Sequence, residues 1–216
     1  RMVVGAGQVG PDHSVLNAFV WKEGAMTWLP TLGGASGTAR EINDAGIVVG
    51  HSTLAGPDQF IHAFMYDTAS GTLTDLGTVY GNVSGAVAIN SVGVVVGCSS
   101  VSDAPDAPPI AARWSAGEAE SLGVLQTGRT SCASDVNDSG EITGFSEIDS
   151  SGHQHGFYWS LATGMLDLNA LLSREDQLAY TVEDGVGIND AGHIAGSATR
   201  KADGRRVAIR LLRQNQ

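Results

Sequence analysis

Apolar residues in this chain come in short runs, and glycine closes most of them. Val3-Val4-Gly5, Ile47-Val48-Val49-Gly50, Val94-Val95-Val96-Gly97, Ile142-Thr143-Gly144 and Ile194-Ala195-Gly196 are rich in β-branched residues and far shorter than a helical stripe. They read as strands, here called a. A second class of run (b) carries an aromatic marker: Asn17-Ala18-Phe19-Val20-Trp21, His62-Ala63-Phe64-Met65-Tyr66 and His155-Gly156-Phe157-Tyr158-Trp159. Degraded copies are Ile110-Ala111-Ala112-Arg113-Trp114 and Val207-Ala208-Ile209-Arg210-Leu211. A third class (c) alternates in Met26-Thr27-Trp28-Leu29, Leu73-Thr74-Asp75-Leu76, Ala119-Glu120-Ser121-Leu122 and Met165-Leu166-Asp167-Leu168. The fourth (d) leads into Ile42-Asn43-Asp44-Ala45-Gly46 and its copies at 89–93, 136–140 and 188–192. Asn-Asp-x-Gly is a tight-turn signal, because Asn and Asp bond their own backbone and Gly supplies a positive φ.

The closing glycines of strands a fall at 5, 50, 97, 144 and 196, spacings of 45, 47, 47 and 52. Four short strands per repeat of this length is the size of a propeller blade. The expected fold is therefore all-β, a single β-propeller domain over 1–216 with repeats at about 1–46, 47–93, 94–140, 141–192 and 193–216. Four a-b-c-d sets and a final a-b pair make 18 strands, where five closed blades need about 20. The last blade is thus expected to be incomplete or to be closed by both termini, with Val207 to Leu212 beside the first blade. The chain opens inside a repeat, so further residues are expected upstream. Helix is expected only as one turn around 169–174.

Composition supports this picture. The chain holds 29 Gly among 216 residues and only 16% charged residues, which disfavours long helices, while 42% hydrophobic residues suffice for a core. The net charge of −11 repels a phosphate backbone, so nucleic acid is a poor partner. No apolar run approaches the roughly 20 residues of a membrane helix, so membrane insertion is not expected.

The markers resemble the HAF-type extracellular repeat family, whose His-Ala-Phe triplet is intact at His62-Ala63-Phe64. The likeness covers nearly the whole chain. Asp167-Leu168-Asn169-Ala170-Leu171-Leu172 followed by Gly187-Ile188-Asn189-Asp190-Ala191-Gly192 looks like that family's closing repeat. The resemblance implies a secreted or cell-surface bacterial protein, and it carries no reaction or catalytic residues.

Candidate chemistry lies where the repeat is broken. The a-b and c-d connections vary in length and share one end of the strands, the usual place for binding on a rigid scaffold. That end is acidic, through Asp12, Asp58, Asp103, Asp106, Asp149 and Asp203, with Glu175, Asp176, Tyr180 and Asp184 around the longest c-d connection. These acids are solvated loop carboxylates, a docking surface for a basic partner, or weakly a Ca²⁺ site; no EF-hand ladder and no other cofactor signature is present. Trp28 stands where other repeats hold Asp75, Ser121 and Asp167, and is either an exposed stacking platform for a sugar or a local packing variant. The register after the closing glycine holds Ala6, His51, Cys98, Phe145 and Ser197, so the scaffold does not dictate it and His51 and Phe145 are candidate ligand contacts. Cys98 and Cys132 either bridge neighbouring blades or remain buried thiols. His153 and His155 share a strand face but lack a third metal ligand, so no metal site is assigned. Glu41 and Asp135 fall at one d-strand position where other repeats have Ala88 and Gly187. They are candidate catalytic carboxylates near the axis, or acids held by backbone or by Arg40 or Arg129.

Three functional readings follow. The first is a binding module for a glycan, another surface polymer or a protein partner, acting through the a-b/c-d end; the absence of a complete catalytic constellation favours it. The second is a polysaccharide hydrolase or lyase using Glu41 and Asp135, and the third a purely structural surface repeat.

Overall fold

A computed structural model describes residues 1–10, 15–58, 60–104, 106–126 and 129–213. Asp12 lies outside the described residues. The fold is all-β, with five antiparallel sheets of three or four strands. The first sheet is β1 (Met2–Val9), β2 (Val15–Lys22) and β3 (Ala25–Trp28); the second is β4 (Gly33–Ile42), β5 (Ile47–Leu54), β6 (Ile61–Asp67) and β7 (Thr72–Gly77). The third holds β8 (Ser84–Ile89), β9 (Val95–Ser100), β10 (Pro109–Ser115) and β11 (Glu118–Gly123). The fourth holds β12 (Ser131–Val136), β13 (Ile142–Glu147), β14 (Gln154–Ser160) and β15 (Gly164–Asp167). The fifth is β16 (Tyr180–Ile188), β17 (Ile194–Arg200) and β18 (Arg205–Leu211).

These are the 18 strands read from the repeat, in the order a, b, c, d, but the sheets are phased differently. Each complete sheet runs d-a-b-c, because the Asn-x-x-Gly hairpin ties d to the following a. The turn glycines Gly46, Gly93, Gly140 and Gly192 all take positive φ, between 74° and 87°. Repeat boundaries drawn at the turns therefore split every sheet but the first between its first two strands. The expected single incomplete blade is instead two three-stranded sheets, one lacking d and one lacking c. Nor does the last strand join the first sheet: β18 pairs with β17 alone among the described residues. Helix also exceeds the single turn expected, comprising α1 (Leu168–Leu171) and α2 (Arg174–Ala179). Asp167 and Ser173 cap them, accepting from Asn169 N and Asp176 N.

The core lies between sheets. Four buried clusters occupy the four junctions of successive sheets, from Val48 and Phe64 against Ala18 and Val20 to Val182 and Ile194 against Leu168. Alternate side chains of one strand serve opposite junctions: Val95 packs toward the second sheet and Val96 toward the fourth. A strand buried on both faces explains why strands a read as continuous apolar runs rather than alternating ones. The degraded marker residues Ala111 and Ala112 split the same way and are fully buried. The aromatic register divides: Trp114 and Trp159 are buried, with the Arg113 guanidinium 5.6 Å from the Trp159 ring, whereas Trp21 is exposed.

The last three junctions are also stitched by polar groups. The Asn43 carboxamide donates to the Asn90 carbonyl (3.0 Å), Asn90 to Asn137 (2.9 Å) and Asn137 to Asn189 (3.0 Å). In all four turns the Asn Oδ1 accepts from its own turn: Asn43 from Ile47, Asn90 from Val94, Asn137 from Glu141 and Asn189 from His193 N–H. Asn43, Asn90 and Asn137 thus each close a hairpin and clamp the next sheet, while Asn189 closes its own hairpin and lends its carbonyl to Asn137. At the other end, Ser84 and Ser131 accept from the N–H of Ala63 and Ala111 on the preceding sheet. Gly37 occupies the matching place in the second sheet, and there Asn17 turns its own Oδ1 to Ala18 N–H.

A disulfide joins Cys98 on β9 to Cys132 on β12, Cα–Cα 5.0 Å, and so bridges the third and fourth sheets. It closes a separation of 34 residues. A Cys98→Ser/Cys132→Ser double variant is expected to lose about 2–4 kcal/mol. The check is the denaturant midpoint, and an unchanged midpoint would mean the crosslink adds nothing.

Candidate functional site

Two concave regions lie at opposite ends of the strands. At the d-a end, all four Asn turns surround one shallow depression, lined among others by Glu41, Asp44, Asp135, Asp138 and Asp190. The shared d-strand position of Glu41 and Asp135 follows from a β-bulge in each strand d, after which Glu41 pairs with Val49 and Asp135 with Thr143. Ala88 and Gly187 occupy the same register opposite Val96 and Ala195. Each acid reaches across to the next sheet. Glu41 Oε2 accepts from Ile89 N–H (2.7 Å), and Asp135 accepts from Ile188 N–H (2.7 Å) and from its own Val136 N–H (2.8 Å). Burial pushes both carboxyls above their ordinary values, outweighing these hydrogen bonds, and Asp135 adds repulsion to Glu41. Their oxygens are thus largely occupied as sheet-to-sheet links, and neither Arg40 nor Arg129 pairs with them. Asp138 and Asp190 extend the stitching by accepting from Ser91 and Asp138 N–H.

At the a-b/c-d end, a cavity of about 830 Å³ opens between the second and third sheets, within the roughly 300–1,000 Å³ of small-molecule sites. Strands β5, β8 and β9 form its floor, and Asp58, Phe60, Asn82, Asp103 and Ala107 from the adjoining loops stand at its rim. Its lining includes His51, Asp58, Phe60, Ile61, Asn82, Val83, Asp103 and Pro109. Phe60, Ile61 and Val83 are exposed apolar side chains, so the cavity offers unburied hydrophobic surface. Burial, and then the positive charge of Arg40, lower the His51 pKa, so the imidazole is neutral near pH 7 and presents one donor and one acceptor.

Of the residues singled out from the sequence, His51 and Asp58 come together in this cavity, and Asp103 from the acidic loops joins them. Cys98 of the disulfide also lines it, and the other described candidates are elsewhere. Trp28 is 40% exposed on edge strand β3, its ring edge-on to Phe19 at 6.1 Å and lying over Gly7. Phe145 is half-buried on β13, opposite Cys132 and Gly156. Tyr180 is half-buried at the start of β16 and packs on the cluster between the fourth and fifth sheets. Asp149 is consumed by its own turn, accepting from Ser151 N–H and pairing with His153 at 2.7 Å. The two histidines that share a strand face therefore separate, His153 to Asp149 and His155 to Asp167. No group of three His, Cys, Asp or Glu that could hold a metal ion occurs among the described residues. Phe60 and Asn82 were missed in the sequence reading; an aromatic in a loop of small and polar residues was the available signal.

The histidine of the HAF marker has a structural partner. His62 pairs with Asp75 at 2.9 Å and His155 with Asp167 at 2.7 Å, each across strands b and c. Where strand b lacks His, strand c lacks Asp: Ile110 goes with Ser121 and Asn17 with Trp28. Although burial raises it, the Asp167 carboxyl is held below its ordinary 3.8 by hydrogen bonds from His155 and Asn169. A depressed pKa contributes stability in full above 3.8, and that contribution is lost as pH falls through the lower folded value. Glu41 and Asp135, with raised values, act in the opposite sense: their protonated forms favour folding, and that contribution fades as pH rises through the elevated folded values. The melting-temperature gap between wild type and Asp167→Asn is therefore expected to be largest near neutral pH and to shrink below 3.8. A gap independent of pH would contradict this assignment.

Comparison with known protein families and with curated proteins finds no match to this chain.

Proposed function

We propose that the chain is a secreted or cell-surface binding module built as a five-bladed propeller, taking a glycan or other surface polymer through its a-b/c-d end. The observation that carries this is the cavity between the second and third sheets, with its exposed apolar wall and neutral His51. The blade arrangement is supported by the packing of each sheet on the next and by the four Asn turns around one depression. The extracellular address is supported by the disulfide, since such bonds persist in oxidising compartments, and by the HAF-like markers.

The rival hydrolase or lyase reading has less support, because Glu41 and Asp135 each commit an oxygen to a backbone N–H of the next sheet. A panel of soluble oligosaccharides, assayed for both binding and cleavage, tests the proposal. Binding without cleavage, weakened about tenfold by Phe60→Ala, is the expected result. Cleavage abolished by Glu41→Gln would overturn the binding-module reading.

A further inference from the structure

The cavity walls also define the charge of what would fit there. Asp58 and Asp103 sit in the a-b loops of two neighbouring sheets, and both line the cavity. No Lys or Arg is among its lining residues. Neither carboxylate forms a hydrogen bond or ion pair with the described residues, and His51 and Asn82 likewise make no side-chain hydrogen bond. The acids of two other a-b loops behave differently. Asp149 closes its own turn on Ser151 and His153, and Asp203 is held by Arg200 and Arg205. Loop acids in this chain can thus be self-satisfied, and the two at the cavity are not.

Covering two unpaired carboxylates with a neutral sugar gives them hydroxyl donors but still carries the desolvation cost of two uncompensated charges, and an acidic ligand adds repulsion. A cation repays it. Two further polar groups, the neutral His51 imidazole and the Asn82 carboxamide, each offer a donor and an acceptor, which suits hydroxyl groups, while Phe60 offers an exposed ring. Resting on the binding-module reading above, we infer that this cavity selects a glycan carrying free ammonium groups, an amino-sugar polymer, with Asp58 and Asp103 facing the ammonium.

Calorimetric titration of the whole chain at low ionic strength tests this with four probes: a β-linked glucosamine tetramer, its N-acetylated counterpart, a uronic acid tetramer and a tetralysine peptide. The glucosamine tetramer is expected to bind about tenfold or more tightly than the acetylated form, and salt should weaken it. Asp58→Asn/Asp103→Asn should remove that preference, bringing the affinities for the glucosamine tetramer and the acetylated form together. Both residues are exposed loop positions without internal partners, so the fold should be retained. Equal affinity for the acetylated tetramer, or tighter uronate binding, would overturn the charge inference while leaving glycan binding intact. Tighter tetralysine binding would overturn it in favour of a basic peptide. Failure of every sugar to bind would remove the glycan reading itself.

Discussion

Gly144→Ala is expected to leave little folded protein. At the bulge in each strand d, a carbonyl oxygen occupies the space a Cβ would need on the closing glycine of strand a. Thr38 O does so at Gly50, Gly85 O at Gly97, Cys132 O at Gly144 and Asp184 O at Gly196. At Gly144 an added Cβ would also lie 2.8 Å from the Phe157 ring and 2.9 Å from Ala133 Cα, both buried. The obstruction is backbone on one side and packed core on the other, so neither can yield cheaply, and a loss of about 3 kcal/mol or more is expected. Gly37→Ala, on β4 of the second sheet, is the control. Its Cβ would meet Asn17 and Ser52 at an ordinary 3.6 Å, and its backbone is not left-handed, so a change under about 1 kcal/mol is expected. Chemical denaturation of both variants decides the matter; equal effects would mean that the closing glycine is not a steric requirement.

Asn137→Ala is expected to cost about 3 kcal/mol, because it removes several buried hydrogen bonds at once. Its carboxamide donates to Glu141 Oε2 (2.8 Å) and to the Asn189 carbonyl, while its Oδ1 accepts from Ser139 and Glu141 N–H. The residue is 3% exposed, so water cannot replace these partners. Loss of Asn137 also releases one side of Glu141, which otherwise accepts from Tyr158 and from Arg213 beyond β18. Asn137→Asp should be no better than alanine. It keeps the acceptor but deletes both donors and sets a second carboxylate beside Glu141. Rescue by Asp would show that the acceptor alone holds the turn.

The strands were legible in the sequence because each class repeats with its own chemistry, from the glycine that closes a to the Asn turn that opens it. How they group into sheets was not. The Leu168–Tyr180 connection and the Asn43–Gly46 turn both join a strand to its successor, and only the tightness of the second forces pairing. The helix α2 was missed because Arg174–Ala179 buries none of its residues and so has no periodic apolar face. Glu41 and Asp135 were correctly aligned as equivalent, yet their reach to Ile89 and Ile188 depends on which sheet lies alongside. Likewise His51 was visible as a departure from the repeat and Asp58 and Asp103 as loop acids, but their meeting needed the second and third sheets side by side. Trp28 drew attention because it replaces an acid; Asn17 in place of the marker histidine removes that acid's partner, and the ring packs on Phe19 instead.

The account places function at the a-b/c-d cavity and gives the carboxylates at the d-a end a structural role. Backbone amide chemical shifts, followed by NMR during titration with the glucosamine tetramer, separate these directly. The account predicts that the largest shifts fall on His51, Phe60, Val83 and Asp103, with Glu41, Asp135 and the Asn turns unmoved. Shifts centred on Glu41, Asn90 and Asp135 instead would contradict it and move the working site to the opposite end of the strands.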